Sequence, residues 1–235
     1  MGCAIVLATP ALAAPPFITD DPAPTTDRTY EVYLFGNGTM ARDNVSGSYG
    51  LDFNYGAGPD LQLSATLPIS YDRTDGDHFV SGLGNIELAA KVRFLHQETF
   101  GWDVAIFPRL FLPSGSSLGE QHASFLLPIW IGRDWDHWST FGGGGCALNR
   151  GGVSQDYCIA GWVLTRQVFP NLRIGGELFH QTADTKDGHA TTILGLGATY
   201  DLSEHLHLLG FVAAGLENAA ETGRATGYTS ILFTF

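Results

Sequence analysis

The sequence predicts an all-β fold: a transmembrane antiparallel up-and-down β-barrel of about twelve strands, set in a bacterial outer membrane. Three observations predict it. Apolar and polar residues alternate with a period of two in segment after segment, as a strand with one lipid face requires. The connections between these segments alternate between short and long. The chain opens on an export-like stretch and closes on an aromatic strand, Tyr228-Thr229-Ser230-Ile231-Leu232-Phe233-Thr234-Phe235.

The first element is Met1 to Ala13, where Ala11-Leu12-Ala13 fits a signal-peptidase site with cleavage before Ala14. Its basic leading region is missing, which points to a start further upstream. Cys3 comes too early, without a lipobox, to suggest a lipoprotein. Residues 14–28 form a proline-rich segment carrying Asp20, Asp21 and Asp27, either a periplasmic tail or a partial plug. The barrel is expected over 29–235.

Its strands are expected near 29–39, 46–56, 61–71, 85–95, 102–112, 123–132, 138–148, 156–167, 172–182, 190–200, 206–216 and 225–235. The clearest alternation is Leu61 to Tyr71, with every odd residue apolar or aromatic. Ile86 to Phe94 alternates the other way and carries Glu87, Lys91 and Arg93 on its polar face. Most segments have the roughly 9–11 residues that cross a bilayer at a tilt. Short links at 56–60, 96–101, 133–137, 169–171 and 201–205 read as periplasmic turns. The longer polar ones at 72–84, 113–122, 149–155, 183–189 and 217–224 read as outer loops. Tyr30, Tyr55, Phe94, Trp102, Trp138, Tyr200 and Phe235 gather at the periplasmic ends, where ring residues suit a membrane–water interface.

Composition narrows the function. Charged residues are 15% of 235, below the roughly 25% of soluble domains. A net charge of −12 argues against nucleic acid as a partner. The expected partners are outer-membrane lipid, a small-molecule solute, and the barrel-insertion machinery reading the final strand that ends in Phe235. No cofactor and no metal are expected. His205 and His207 share one side of a strand but do not make a closed metal site. Asp72, Asp75 and Asp77 hold only part of a calcium-loop spacing. Gly142 to Gly145 lacks the Lys-Ser/Thr of a phosphate loop.

The inward faces carry the candidate site. Placing Phe94 opposite Trp102 sets Arg93 against Asp103 and Glu87 against Arg109 on one face. Opposite charges across an antiparallel pair stabilise it by up to ~1 kcal/mol. With Lys91, these residues make either a selective constriction or a structural network filling a narrow barrel. Arg173, Glu177 and Gln181 form a second inward polar row. Cys146 and Cys158 are the cysteines left after export, and an even count in an oxidising compartment suggests a disulfide. Pairing about Gly151-Gly152 places them directly opposite each other, which would pin an outer loop at the mouth.

Several motifs are distinctive. They are Pro16-Phe17-Ile18-Thr19-Asp20-Asp21-Pro22 before Tyr30-Glu31-Val32-Tyr33-Leu34-Phe35, Leu112-Pro113-Ser114-Gly115, Phe141 to Gly145, and His180-Gln181-Thr182-Ala183-Asp184-Thr185. Through nearly the whole mature chain the sequence resembles the outer-membrane barrels of the MetA pathway of phenol degradation. That resemblance implies a porin-like transporter passing small, aromatic or hydrophobic molecules by passive diffusion. A closed barrel with an envelope role is the alternative. A lipid hydrolase built on His122 and Ser124 is the third, although the alternation of Phe125, Leu127, Ile129 and Ile131 toward lipid turns Ser124 inward. The protein is therefore expected not to be an enzyme.

Overall fold

The computed structural model describes residues 16–74, 78–116, 118–119 and 122–235. The expected signal segment with its cleavage site, and Asp75 and Asp77 of the acidic loop, lie outside the described residues.

The described chain is one closed antiparallel sheet of twelve staves. Its segments are β1 (Tyr30–Met40), β2 (Asn44–Gly58), β3 (Leu61–Thr74), β4 (His78–Leu83), β5 (Ile86–Leu95), β6 (Asp103–Ile106) and β7 (Arg109–Leu112). They continue as β8 (Ser124–Trp135), β9 (Trp138–Leu148), β10 (Tyr157–Phe169), β11 (Leu172–Gln181), β12 (Thr191–Asp201), β13 (Leu206–Glu217) and β14 (Ala225–Thr234). Segments β4 and β5 lie end to end along β3 and make one stave. Segments β6 and β7 make another, between β5 and β8. The sheet closes where β1 pairs with β14 on one side and β2 on the other. Closure matters in lipid, because no strand edge is left to face hydrocarbon unpaired.

Alternation decides which face of each stave meets lipid. Leu34, Leu51, Leu67, Leu88, Ile129, Leu164, Leu178, Leu196 and Val212 point outward and are exposed. Their neighbours Tyr33, Trp130, Val163, Phe179 and Phe211 point inward and are buried. Tyr30 stacks on Tyr55 at 4.7 Å between centroids, at the end where both termini of the barrel wall meet. Phe94, Phe169, Tyr200 and Phe235 are also exposed aromatics.

Three differences from the expected pattern have physical causes. The 72–84 stretch is not simply a loop, since β3 runs on to Thr74 and pairs with His78–Leu83. The stave expected at 102–112 is broken at Phe107-Pro108, because Pro108 has no N–H for the ladder. The pairing continues across the gap through Phe107 N–H donating to Pro128 O at 3.0 Å and Ala90 N–H to Pro108 O at 3.2 Å.

The third difference is register. Arg93 stands opposite Ala105, Ala89 opposite Arg109, and Glu87 opposite Phe111, so neither expected cross-strand charge pair is directly opposed. The turn explains this. Gln97–Phe100 forms a helical turn closed by Gly101 in the left-handed region, and Gln97 N–H bonds Asp103 Oδ1 at 2.9 Å. That turn draws residues from the second stave and slides the ladder by two. An even slip keeps every side chain on its face, whereas a slip of one would turn Lys91 and Arg93 toward lipid at roughly 2–4 kcal/mol each near the midplane.

Candidate functional site: the lumen and its plug

The inward face divides into two flanks. Strands β8 to β13 contribute an apolar cluster of Leu126, Trp130, Ala147, Ile159, Phe179, Ile193, Phe211 and Ala213, joined by Phe107. Trp130 is fully buried, and its ring lies over Gly143, where φ is +142° and any Cβ would collide with the Ile129 carbonyl. Strands β1 to β5, with Arg109 of β7, contribute a polar wall. Glu31, Asn54, Gln62, Glu87 and Lys91 all face inward on this side.

Residues 16–28, left open as tail or plug by sequence alone, fold back into the bore. Glu177 in β11 accepts the backbone N–H of Thr19 at 2.6 Å and of Ile18 at 3.1 Å. Lys91 in β5 donates to Asp20 Oδ1 at 3.0 Å and to the Ala23 carbonyl at 3.2 Å, with Asp21 at 3.8 Å. Gln62 Oε1 in β3 accepts both the backbone N–H and the hydroxyl of Thr25. Phe17 packs edge-on against Phe211 at 5.6 Å and near Phe141 at 6.3 Å. One segment thus ties the apolar flank to the polar one. Gly161 makes this possible, because a Cβ there would collide with the Thr19 side chain.

The energetics of this contact rest on pairing. Lys91 is only 2% exposed, and Glu177 only 1%. Breaking a buried charge pair by removing one partner typically costs 3–5 kcal/mol, since the other charge is left stranded. Burial pushes the Asp21 carboxyl up to about 6, although Lys91 pulls the other way and Asp20 adds to the rise. At the rim formed by the short turns Asp60 behaves oppositely. Burial would raise it, but hydrogen bonds from His96 at 2.8 Å and Arg93 at 3.0 Å hold it below its usual value.

Glu87 and Arg109 meet diagonally in a bidentate pair, Nε to Oε1 at 2.7 Å and Nη2 to Oε2 at 2.8 Å. Arg93 serves the rim, with Asp60 at 3.0 Å and Asp103 at 3.8 Å. Arg173, Glu177 and Gln181 share the inward face of β11, but each is bonded to different partners. Arg173 binds Thr165 and Gln167, Glu177 holds the plug, and Gln181 reaches Asp184 toward the outer loops. Cys146 and Cys158 are directly opposed in the β9–β10 ladder and joined by a disulfide, with Cα atoms 4.0 Å apart. The bond lies on the outward face beside Leu127 rather than in the lumen. His122 lies against Gly151 in the outer loops, while Ser124 points inward and is buried.

Sequence reasoning missed Asp52, Glu31 and Gln62, and it did not link Asp20-Asp21 to Lys91. A signal for that link exists: a lone inward lysine in mid-strand needs an anion, and the acidic doublet precedes the barrel.

Above the plug, the polar wall bounds a cavity of about 1020 Å³. It reaches from Asp52, Thr66, Glu87 and Arg109 up to His122 and the loop at Gly151–Ser154. A family model described as "Putative MetA-pathway of phenol degradation" matches residues 37–233. The chain belongs to that family. No curated protein matches the sequence. Among solved structures, the family member resembles the COG4313 outer membrane channel from Pseudomonas putida F1, with a TM-score of 0.75 at 16% identity over 91% of this chain and 97% of that one. The NanC porin follows with 0.59 at 7% identity, over 86% and 98%. The CymD monoaromatic hydrocarbon channel gives 0.51 at 9% identity, over 89% and 88%. At such identities the likeness carries the barrel fold of channels and porins, and an outer-membrane location agrees with the apolar outer face.

Proposed function

We propose that this barrel is a passive outer-membrane channel for small, uncharged aromatic or hydrophobic molecules, gated by its own residues 16–28. One observation carries the reading: a cavity of about 1020 Å³ stands directly above a plug made of the chain's own N-terminal segment. A volume at this scale holds a drug-sized molecule. Phe35, Phe111 and Tyr228 line it beside hydrogen-bonding groups such as Asn37, Ser48 and Thr66. That mixture suits a ring bearing a hydroxyl. The family description and the named specificity of the monoaromatic hydrocarbon channel support the same substrate class. The lipid contact and insertion through the strand ending in Phe235 belong to this reading as well.

Proteoliposomes test it. A phenyl glucoside is neutral, aromatic and too polar to cross lipid unaided. It should enter faster than a disaccharide of similar bulk. Equal rates would remove the aromatic preference.

A second reading has its own support. Apolar side chains fill one flank and the plug crosses the bore, as a closed envelope barrel requires. Exclusion of both solutes, by the wild type and by plug-weakened variants, would favour it.

A further inference from the structure

Charge on the inward wall is not balanced. Arg109 is committed to Glu87 through two short hydrogen bonds, and Lys91 to Asp20 and Asp21. Glu177 is met by backbone N–H groups of the plug, and Glu31 by the Tyr33 hydroxyl at 3.0 Å. Asp52, like Glu31, is met by a hydroxyl and not by a cation, but unlike Glu31 it lines the cavity. It accepts one bond from the Thr66 hydroxyl at 3.1 Å, and no cation among the described residues forms an ion pair with it. It lines the outer cavity together with the Glu87–Arg109 pair, in reach of anything that enters.

The rings beside it matter as much. Phe35 and Tyr228 stand nearly parallel, with centroids 6.5 Å apart, and both line the same cavity with Phe111. The face of Phe111 already carries the Arg109 guanidinium at 5.5 Å. Aromatic faces attract cations, and a carboxylate attracts them more strongly. A neutral hydroxyl still gains an acceptor in Asp52. A carboxylate entering here meets Asp52 and Glu87, two like charges against the single positive charge of Arg109.

We propose that the outer cavity is a binding site that sorts small aromatic molecules by charge, accepting amines and neutral hydroxyl-bearing rings and rejecting carboxylates, with Asp52 setting the sign. The site rests on the channel reading only for the route by which a molecule arrives; occupancy itself requires no flux.

Equilibrium dialysis of the purified full-length barrel in detergent tests this with three probes of one size: benzylamine, benzyl alcohol and benzoate at neutral pH. Affinity should fall in that order. Asp52→Asn should weaken benzylamine by roughly five- to tenfold, the scale of one unit charge at contact in a water-filled site. Asp52→Glu should keep the preference. Should Asp52→Asn fail to fold, judged by heat-modifiable mobility, raising ionic strength on the wild type replaces it. Screening must then shrink the amine-to-benzoate ratio. Benzoate binding as well as benzylamine, indifference to both Asp52→Asn and salt, or no binding by any probe would overturn the proposal. Ordered binding without flux in liposomes would sink the channel reading and leave this site standing. Flux of the phenyl glucoside without ordered binding would do the reverse.

Discussion

The two flanks of the lumen look alike from outside and opposite from within. On both, alternate residues are leucine, isoleucine or valine turned to lipid. Inside, β8 to β13 present Trp130, Phe179 and Phe211, which belong to one buried apolar cluster. Strands β1 to β5 present carboxylates, amides and Lys91, which pair with partners at a distance and leave the cavity above the plug. One β-pattern can thus build a wall of two kinds. The apolar flank supplies packing, the polar flank bounds the cavity, and both hold the plug, through Glu177 and Phe211 on one side and Lys91 and Gln62 on the other.

Substitutions should separate the flanks. The largest effect is expected from Trp130→Ala on the apolar flank, toward the upper end of the ~3–5 kcal/mol that large core truncations cost. Urea titration of the folded barrel should show it, with the probe preferences of the cavity unchanged. A shift in those preferences would mean that the flanks are not separable.

Next comes Lys91→Ala on the polar flank. It strands Asp20 and Asp21, and plug docking should lose roughly 3 kcal/mol, the lower end of the range for a broken buried pair, because the Asp20 side chain retains some exposure to water. Limited proteolysis should then cut within residues 16–28, while the barrel's unfolding midpoint barely moves. An unchanged cleavage pattern would contradict the latch.

Reduction of Cys146–Cys158 should cost less, at most ~3 kcal/mol in the chain-entropy model, since the β9–β10 ladder already holds the hairpin. Denaturation with and without reductant measures it. We expect no change in plug cleavage, because the bond lies on the lipid face.

The smallest effect is that of pH. Asp21 sits at about 6 when docked and near its ordinary value when the plug is free, so the docked state binds the extra proton. Its contribution to docking is full below the ordinary carboxylate value and is lost as pH rises through about 6. Moving from about pH 7 to about pH 5 should tighten the plug by roughly 1 kcal/mol. Slower cleavage of residues 16–28 at the lower pH would agree; faster cleavage would reverse the assigned sign.

Particular elements explain what sequence could and could not reveal. Alternation in Leu61 to Tyr71 or Ile86 to Phe94 is written locally, because each residue's face follows from its parity. The glycines at 151 and 152 centre a hairpin, so the register that opposes Cys146 to Cys158 is local too. The slide beside Gln97–Phe100 is not, since it depends on a helical turn that four unremarkable residues adopt. The plug is the least local element. Thr19 finds Glu177 across 158 positions, and Asp20 finds Lys91 across 71. A proline-rich stretch without alternation gives no face to read. The inward residues Glu87, Lys91, Arg109 and Glu177 could be named from parity, and so could the partnership of Glu87 with Arg109, but the plug partners of Lys91 and Glu177 required the closed barrel.

Residues 16–28 should close a bore which the polar flank would otherwise leave open. The most direct test is the entry of a small neutral pentose into liposomes carrying either the wild type or Lys91→Ala at equal protein density. Entry should be slow through the wild type and markedly faster through the variant. Equal rates, with the plug shown by proteolysis to be released, would contradict it.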